Sequence, residues 1–247
     1  MAYPENEMVT VALEAGATEA TMMDNLPIHN ALWKVFEERC QKKGLKGYKM
    51  ISDGDVNDLS KLGQYDIVHC SGVIYHMPNP VHTMLQLRSV TLKYLLLTSM
   101  VVPELIKTEA GEVDMRGRGS IFVPAISGVT KDVCGQYLDS LEIQIHGINS
   151  EEPFHWVYTS PLQSRSPHMS ELFQVNYGPW WWLFTQSFVE NLLSLVGFRI
   201  VSSGELWEKR SVGFLAEKVK FFSVIILKLL SYIRLFMITF TIVDFQR

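Results

Sequence analysis

The sequence predicts an α/β protein: a parallel sheet with crossover helices and an antiparallel hairpin at its end. Two observations carry this. Between residues 19 and 102, short β-rich runs alternate with runs of helical period. Before residue 218, two strands flank a short charged turn, which suits an antiparallel edge on an otherwise parallel sheet. The composition agrees. With 247 residues, 47% apolar and 19% charged, the chain can bury a sizeable core and is not a disordered polymer.

In chain order, residues 19–24 (EATMMD) read as a strand ending in an acid. Asn25, Leu26 and Pro27 open a helix with Ile28, Ala31, Leu32, Val35, Phe36 and Cys40 as its apolar positions, and Gly44 ends it. Residues 48–52 and 65–70 are the second and third strands, and Ser71-Gly72 turns the chain after the latter. Asn79-Pro80 starts the next helix with a cap and a proline in its first turn. Residues 93–102 (KYLLLTSMVV) form the most apolar strand. Residues 103–184 break the alternation with six prolines, two strands expected at 120–126 and 141–146, and the run Trp180-Trp181-Trp182. A helix resumes from Thr185 and stops at Gly197, and strands 198–206 and 211–217 follow.

Charge is unevenly placed. Of 22 basic and 26 acidic side chains, four basic and one acidic fall in 219–247, leaving 18 and 25 in residues 1–218. So acidic a body is a poor electrostatic partner for nucleic acid. The three cysteines are widely spaced without a CxxC, which argues against a disulfide framework or a thiolate metal site and for a reducing, cytoplasmic setting. Residues 1–9 lack the basic start and apolar stretch of a signal peptide. The tail differs. Residues 221–243 hold 23 residues with Lys228 and Arg234 as their only charges, long enough to span a bilayer. Each cation costs about 2.5–3.5 kcal/mol at mid-span, while each large apolar residue returns about 0.3–0.6, so the balance is near zero. Membrane contact through this tail and a passive tail both stay open.

In an open α/β sheet, ligands bind beyond the carboxyl ends of the strands. Those ends carry Asp24, then Asp53 and Asp55, then Ser71-Gly72-Val73. An acid at one tip can accept both hydroxyls of a ribose, and an acid with a backbone amide one strand over can read an adenine edge. The plain alternative is that Asp24, Asp55 and Asp58 are caps or turn residues.

The stretch 64–80, QYDIVHCSGVIYHMPNP, resembles the fourth-strand region of class I S-adenosylmethionine-dependent methyltransferases, where "fDvV…GVLYH…P" recurs. In pattern it is similar to the branch that contains the tRNA wobble-uridine methyltransferase type. Ala15-Gly16-Ala17 with Met22-Met23-Asp24 resembles the family's passage into the ribose-binding acid, and Asp55-Val56-Asn57-Asp58-Leu59 the passage beside adenine. Trp181-Trp182, Phe184-Thr185 and Val196-Gly197-Phe198 resemble its "WW.pT…aGF" passage. The likeness covers residues 8–218. It implies a Rossmann-like domain over 1–218 with an acceptor-binding insertion at 103–184, and a separate apolar tail at 219–247. One departure stands out. The family's first strand and glycine-rich loop would precede residue 8, and only Gly16 occurs before Gly44. Residues 5–14 fit the helix after that loop better than they fit a strand at Met8–Leu13.

The resemblance implies S-adenosyl-L-methionine as cofactor, with Asp24, Asn25, Asp55, Val56, Ser71, Gly72 and Val73 around it. Methyl transfer from a sulfonium asks mainly for positioning and desolvation. Tyr75 is expected to position the sulfonium, and His76 to contact the acceptor or take its proton. The alternative for His76 is a structural bond pinning the loop before Pro78. His69 is taken as a core or interface residue. Arg165, His168, Tyr177, Trp181 and Trp182 are the candidate acceptor-binding residues, although a tryptophan run is more often packing than platform. No metal site is expected. A small-molecule acceptor is favoured over tRNA, since no cationic set for a carboxylated cofactor can be placed. The competing readings are a non-catalytic interaction or membrane-tethered module, and a nucleotide-sugar or NAD enzyme, which would call for a glycine-rich phosphate loop.

Overall fold

The computed structural model describes residues 8–24, 27–117, 119–122, 132–140, 144–145, 158–159, 181–207 and 209–219. The chain enters through helix α1 (Met8–Glu14), which Gly16 ends at φ 98°, a conformation cheap only for glycine. Strands β1 (Ala20–Met23) and β2 (Tyr48–Ile51) pair in parallel, from Ala20 opposite Tyr48 to Met23 opposite Ile51. The crossover between them is α2 (Ala31–Lys42), whose Trp33, Phe36 and Cys40 are buried. This helix begins later than the sequence suggested. Asn25 and Leu26 lie outside the described residues, and Pro27 to Asn30 form a turn closed by Asn30 N–H to Pro27 O at 3.0 Å or less (2.9 Å). Asn30 then caps the helix, its side-chain oxygen accepting from Leu32 N at 3.0 Å.

A second parallel unit follows: β3 (Tyr65–Ser71), a short turn of 3-10 helix (Ile74–His76), α3 (Pro80–Val90) and β4 (Thr91–Val102). Asn79 caps α3 through its bond from His82 N, with Pro80 in the first turn, as the sequence indicated. Next come β5 (Leu105–Thr108) and β6 (Gly111–Asp114), an antiparallel hairpin, then β7 (Ser120–Phe122), α4 (Val133–Ser140), β8 (Gln144–Ile145) and β9 (Tyr158–Thr159). The chain ends its described course with β10 (Trp182–Thr185), α5 (Gln186–Leu195), β11 (Phe198–Leu206) and β12 (Ser211–Lys218). Of the strands expected in the interruption, 120–126 is realised over Ser120–Phe122 and 141–146 over Gln144–Ile145; their remaining residues lie outside the described ones. The hairpin β5–β6 was not expected.

The main sheet has the order β11-β12-β4-β10-β7, with β3 also on β4. β4 is its axis. It pairs β3 in parallel over Thr91–Thr98, β12 antiparallel over Tyr94–Met100, and the end of β10 (Phe184 and Thr185) in parallel at Val101 and Val102. One face carries Cys70, Leu95, Leu97, Val212, Phe214 and Ala216, all buried beneath α3 (Met84, Leu87, Val90) and α5 (Val189, Leu192, Leu193). The fold is therefore mixed α/β and Rossmann-like, built on parallel crossover units with an antiparallel closing hairpin. Among the described residues, β1–β2 forms its own two-stranded sheet, and neither β1 nor β3 has a second strand partner. Side chains link the two sheets: Tyr65 on β3 reaches Thr21 on β1, hydroxyl to hydroxyl at 3.3 Å.

Of the two readings of His69, core or interface, the structure speaks against the core. His69 pairs in register with Leu96, on the face opposite the buried one, and is exposed. Among the described residues no helix is long and apolar enough to cross a membrane, and residues 221–243 lie outside them.

Candidate functional site

Three strand tips meet at the carboxyl rim. The first two are joined directly, because β1 and β2 are hydrogen-bonded neighbours. Asp24 N donates to Ile51 O at 3.1 Å, and Gly54 N donates back to Asp24 O at 2.9 Å. Gly54 sits so close to Met23 that an added Cβ would fall 2.3 Å from its Cγ. Glycine there lets the loop after β2 lie against the end of β1.

The loop after β2 then crosses to the third tip. Asn57 is its anchor. Its side-chain oxygen accepts from the buried Thr83 hydroxyl at 2.9 Å, and its amide nitrogen donates to Met77 Sδ at 3.6 Å. Its carbonyl accepts from His82 Nε2 at 3.0 Å. Leu59 N also donates to the side chain of Gln86 at 3.2 Å. Loop 55–59 is thereby fastened to the turn and helix that follow β3. Val56 packs on the main core from the same loop. Sequence reasoning included Asn57 only as part of a motif and did not foresee this role, since its partners lie 20 to 26 residues away.

At the third tip, Ser71 and Val73 are half-buried around Gly72, which has φ 71° and donates its N–H to Thr98 O at 3.1 Å. The left-handed φ bends the chain away from β3 and into the turn carrying Tyr75 and His76. Tyr75 is buried and belongs to the main core, while His76 is half-buried, its ring centroid 4.3 Å from that of Tyr75. The tryptophans close over this turn. Trp181 N donates to Tyr75 O at 3.0 Å and Trp182 Nε1 to Pro78 O at 3.3 Å. Trp182 also lies 5.1 Å from the Phe122 ring of β7 and 6.5 Å from Phe184. Both tryptophans thus have packing work to do as well as a place beside the turn.

The acids differ in their surroundings. Asp24 is half-buried at the end of β1. Asp55 is exposed and its Oδ1 accepts from Asn57 N at 2.8 Å, a local turn of the kind aspartate favours. Asp58 accepts from the Ser60 hydroxyl and from Lys61, which together hold its carboxyl below the usual range. Asp58 is a turn residue. Asn25, Arg165, His168 and Tyr177 lie outside the described residues. No group of three or more His, Cys, Asp and Glu side chains able to hold a metal occurs among the described residues.

No family model matches the chain, and no curated protein matches it. Among solved structures, the chain is similar to magnesium protoporphyrin IX methyltransferase from Synechocystis PCC 6803 with bound SAH, at 15% identity and TM-score 0.47, over 86% of this chain and 69% of that one. It is similar to 1,6-didemethyltoxoflavin-N1-methyltransferase from Burkholderia thailandensis at 10% identity and TM-score 0.48, over 85% of this chain and 65% of that one. It is also similar to an O-methyltransferase family 2 protein from Planctomyces limnophilus in complex with apigenin, at 12% identity and TM-score 0.45, of which it spans 47%. These likenesses assign no residue and no activity to this chain.

Proposed function

We propose that the chain is a class I S-adenosylmethionine-dependent methyltransferase domain acting on a small-molecule acceptor, with 103–184 as the cover over the acceptor. One observation carries the reading: the tips after β1, β2 and β3 are held together on one rim, through the Gly54–Asp24 backbone bond and through Asn57 to Met77 and Thr83. The motif that resembles the family falls on the same rim.

The residues present fit an adenosyl group in part. Asp24 stands where a carboxylate can accept from ribose hydroxyls, and Val56 offers an apolar wall one strand over. Asp55 already turns one oxygen into its own loop, which leaves Oδ2 and the neighbouring backbone for an adenine edge. Gly72, with no side chain at a left-handed φ, lets the backbone after β3 come close to a ligand. Bound S-adenosylmethionine would supply an electrophilic methyl on a sulfonium, and the protein's task is to place the acceptor in line with it. Tyr75 and the carbonyls of Tyr75 and Pro78, pinned by the two tryptophans, form the rigid side of that slot. His76, at the same turn, is positioned to orient an acceptor or take its proton.

The test is titration calorimetry with S-adenosylhomocysteine on a folded, monodisperse sample. The expected result is measurable heat, with Asp24→Ala weakening binding by roughly 10- to 100-fold, the loss of a charge-assisted bond of about 1.5–3 kcal/mol. Absence of heat would overturn the reading in favour of a non-catalytic interaction module.

A further inference from the structure

The main sheet has two unlike faces. Register puts Leu92, Tyr94 and Leu96 of β4 on the same side as Ile67 and His69 of β3 and Leu215 of β12, opposite the side that α3 and α5 cover. Their exposure is unusual for the axis of a sheet. Ile67 is 58% exposed and Leu92 44%, with Tyr94, Leu96 and Leu215 half-buried. Around β4 the pairs with β3 and β10 are parallel, the kind of pairing found in sheets covered on both faces.

The chain holds a matching surface next to it. At helical spacing, residues 221–243 place Phe222, Ile225, Ile226, Leu229, Ile233, Phe236, Met237 and Phe240 on one unbroken side, with Ser223, Lys228, Ser231 and Arg234 on the other among Val224, Leu227, Leu235 and Ile238. We propose that this segment covers the open face of the main sheet, its apolar side on Ile67, Leu92, Leu96 and Leu215 and its two cations toward water. The proposal is independent of the cofactor reading.

Reach and attachment favour this occupant. β12 neighbours β4 and supplies Leu215 to the face, and it is fixed up to Val219, whose N–H bonds Gly197 O at 3.1 Å. Only Lys220 separates that point from Phe221. At a helical rise the 23 residues extend about 35 Å, and the twelve residues of β4 extend about 40 Å at a strand rise. Solvation favours it as well. In a bilayer Lys228 and Arg234 would sit near mid-span at a cost of about 2.5–3.5 kcal/mol each, whereas against the sheet both stay hydrated.

The experiment uses the full chain with the photo-cross-linking residue p-benzoylphenylalanine in place of Ile67. Irradiation at low protein concentration is expected to give an intramolecular product whose joined peptide maps to 221–243. A link to a second chain, a link to residues 123–180, or no link would overturn the proposal. A second measurement guards against a misfolded variant. In the full chain, Ile67→Asp and Leu229→Asp should each lower Tm by about 4–8 °C, and the double variant by little more than one alone. Additive shifts, or a silent Ile67→Asp, would count against it.

Discussion

Asn57→Ala tests the architecture of the rim most directly. The substitution removes the acceptor of the Thr83 hydroxyl (2.9 Å) and the donor to Met77 Sδ (3.6 Å), and leaves the carbonyl bond from His82 in place. Thr83 is fully buried but keeps a second acceptor, Asn79 O at 3.2 Å, so its hydroxyl is not orphaned. The cost is then one net hydrogen bond and a weak sulfur contact, about 1–2 kcal/mol, which for a chain this size lowers Tm by about 3–6 °C. Thr83→Val should cost a similar amount. Urea unfolding of the wild type, both single variants and the double variant gives the coupling between the two side chains, expected at about 1 kcal/mol. The same four proteins titrated with S-adenosylhomocysteine should show weaker binding in every variant, because the loop carrying Asp55 is held to α3 by fewer bonds, those from His82 and to Gln86 remaining. Energies that add to within about 0.3 kcal/mol, together with unchanged binding, would refute the idea that Asn57 clamps two tips of the rim.

Two further outcomes follow from packing and burial. At Gly119 an added Cβ would lie 2.6 Å from Thr185 Cγ2 and 2.7 Å from Met115 Cβ, so Gly119→Ala should destabilise by about 1–3 kcal/mol in urea unfolding, while Gly63→Ala, with open space around it, serves as the neutral control. Burial pushes the Cys70 thiol from 9.0 up to about 12, and Cys134 is raised as well, by burial first and Asp132 second. Under native conditions a thiol reagent should label Cys134 first and spare Cys40 and Cys70, both buried. A raised thiol pKa also fixes a sign. Above pH 9 the unfolded chain ionises Cys70 while the folded chain does not, so stability falls as pH rises, by about 1.4 kcal/mol per unit toward pH 12. Cys70→Ala should flatten that slope in a pH series of unfolding curves.

Much of the fold was legible because its punctuation is local. Asn79-Pro80 marks the start of α3, Thr185 and Gly197 bracket α5, and the apolar run at 93–102 could hardly be anything but a central strand. The α2 start was misplaced because two asparagines compete for the cap, and Asn30 rather than Asn25 stands next to Ala31. The hairpin β5–β6 left a readable sign in the Glu109-Ala110-Gly111 turn, but the surrounding prolines disguised it. β10 is four residues whose strand state is imposed by β4 and β7 on its two sides, a tertiary effect. His69 looked internal because it lies inside an apolar strand, whereas alternation puts it on the side opposite the one that α3 and α5 cover. For the rim, the tips could be listed from strand ends alone. What binds them into one place could not, since Asn57 acts through residues brought near by folding.

Among the described residues, the β1–α2–β2 unit meets the main sheet through a hydroxyl pair, apolar packing at Met23 and Val56, and loop 55–59, and not through a ladder of strand hydrogen bonds. A seam of that kind is where a protein breathes: it parts at a lower free energy than the sheet on either side. Because Asp24 and Asp55 ride on one bank and Gly72 on the other, any molecule gripping both banks stitches the seam shut. Amide exchange in residues 20–23 and 48–51 would slow on its arrival far more than exchange in β4, so the unit doubles as a built-in reporter of occupancy.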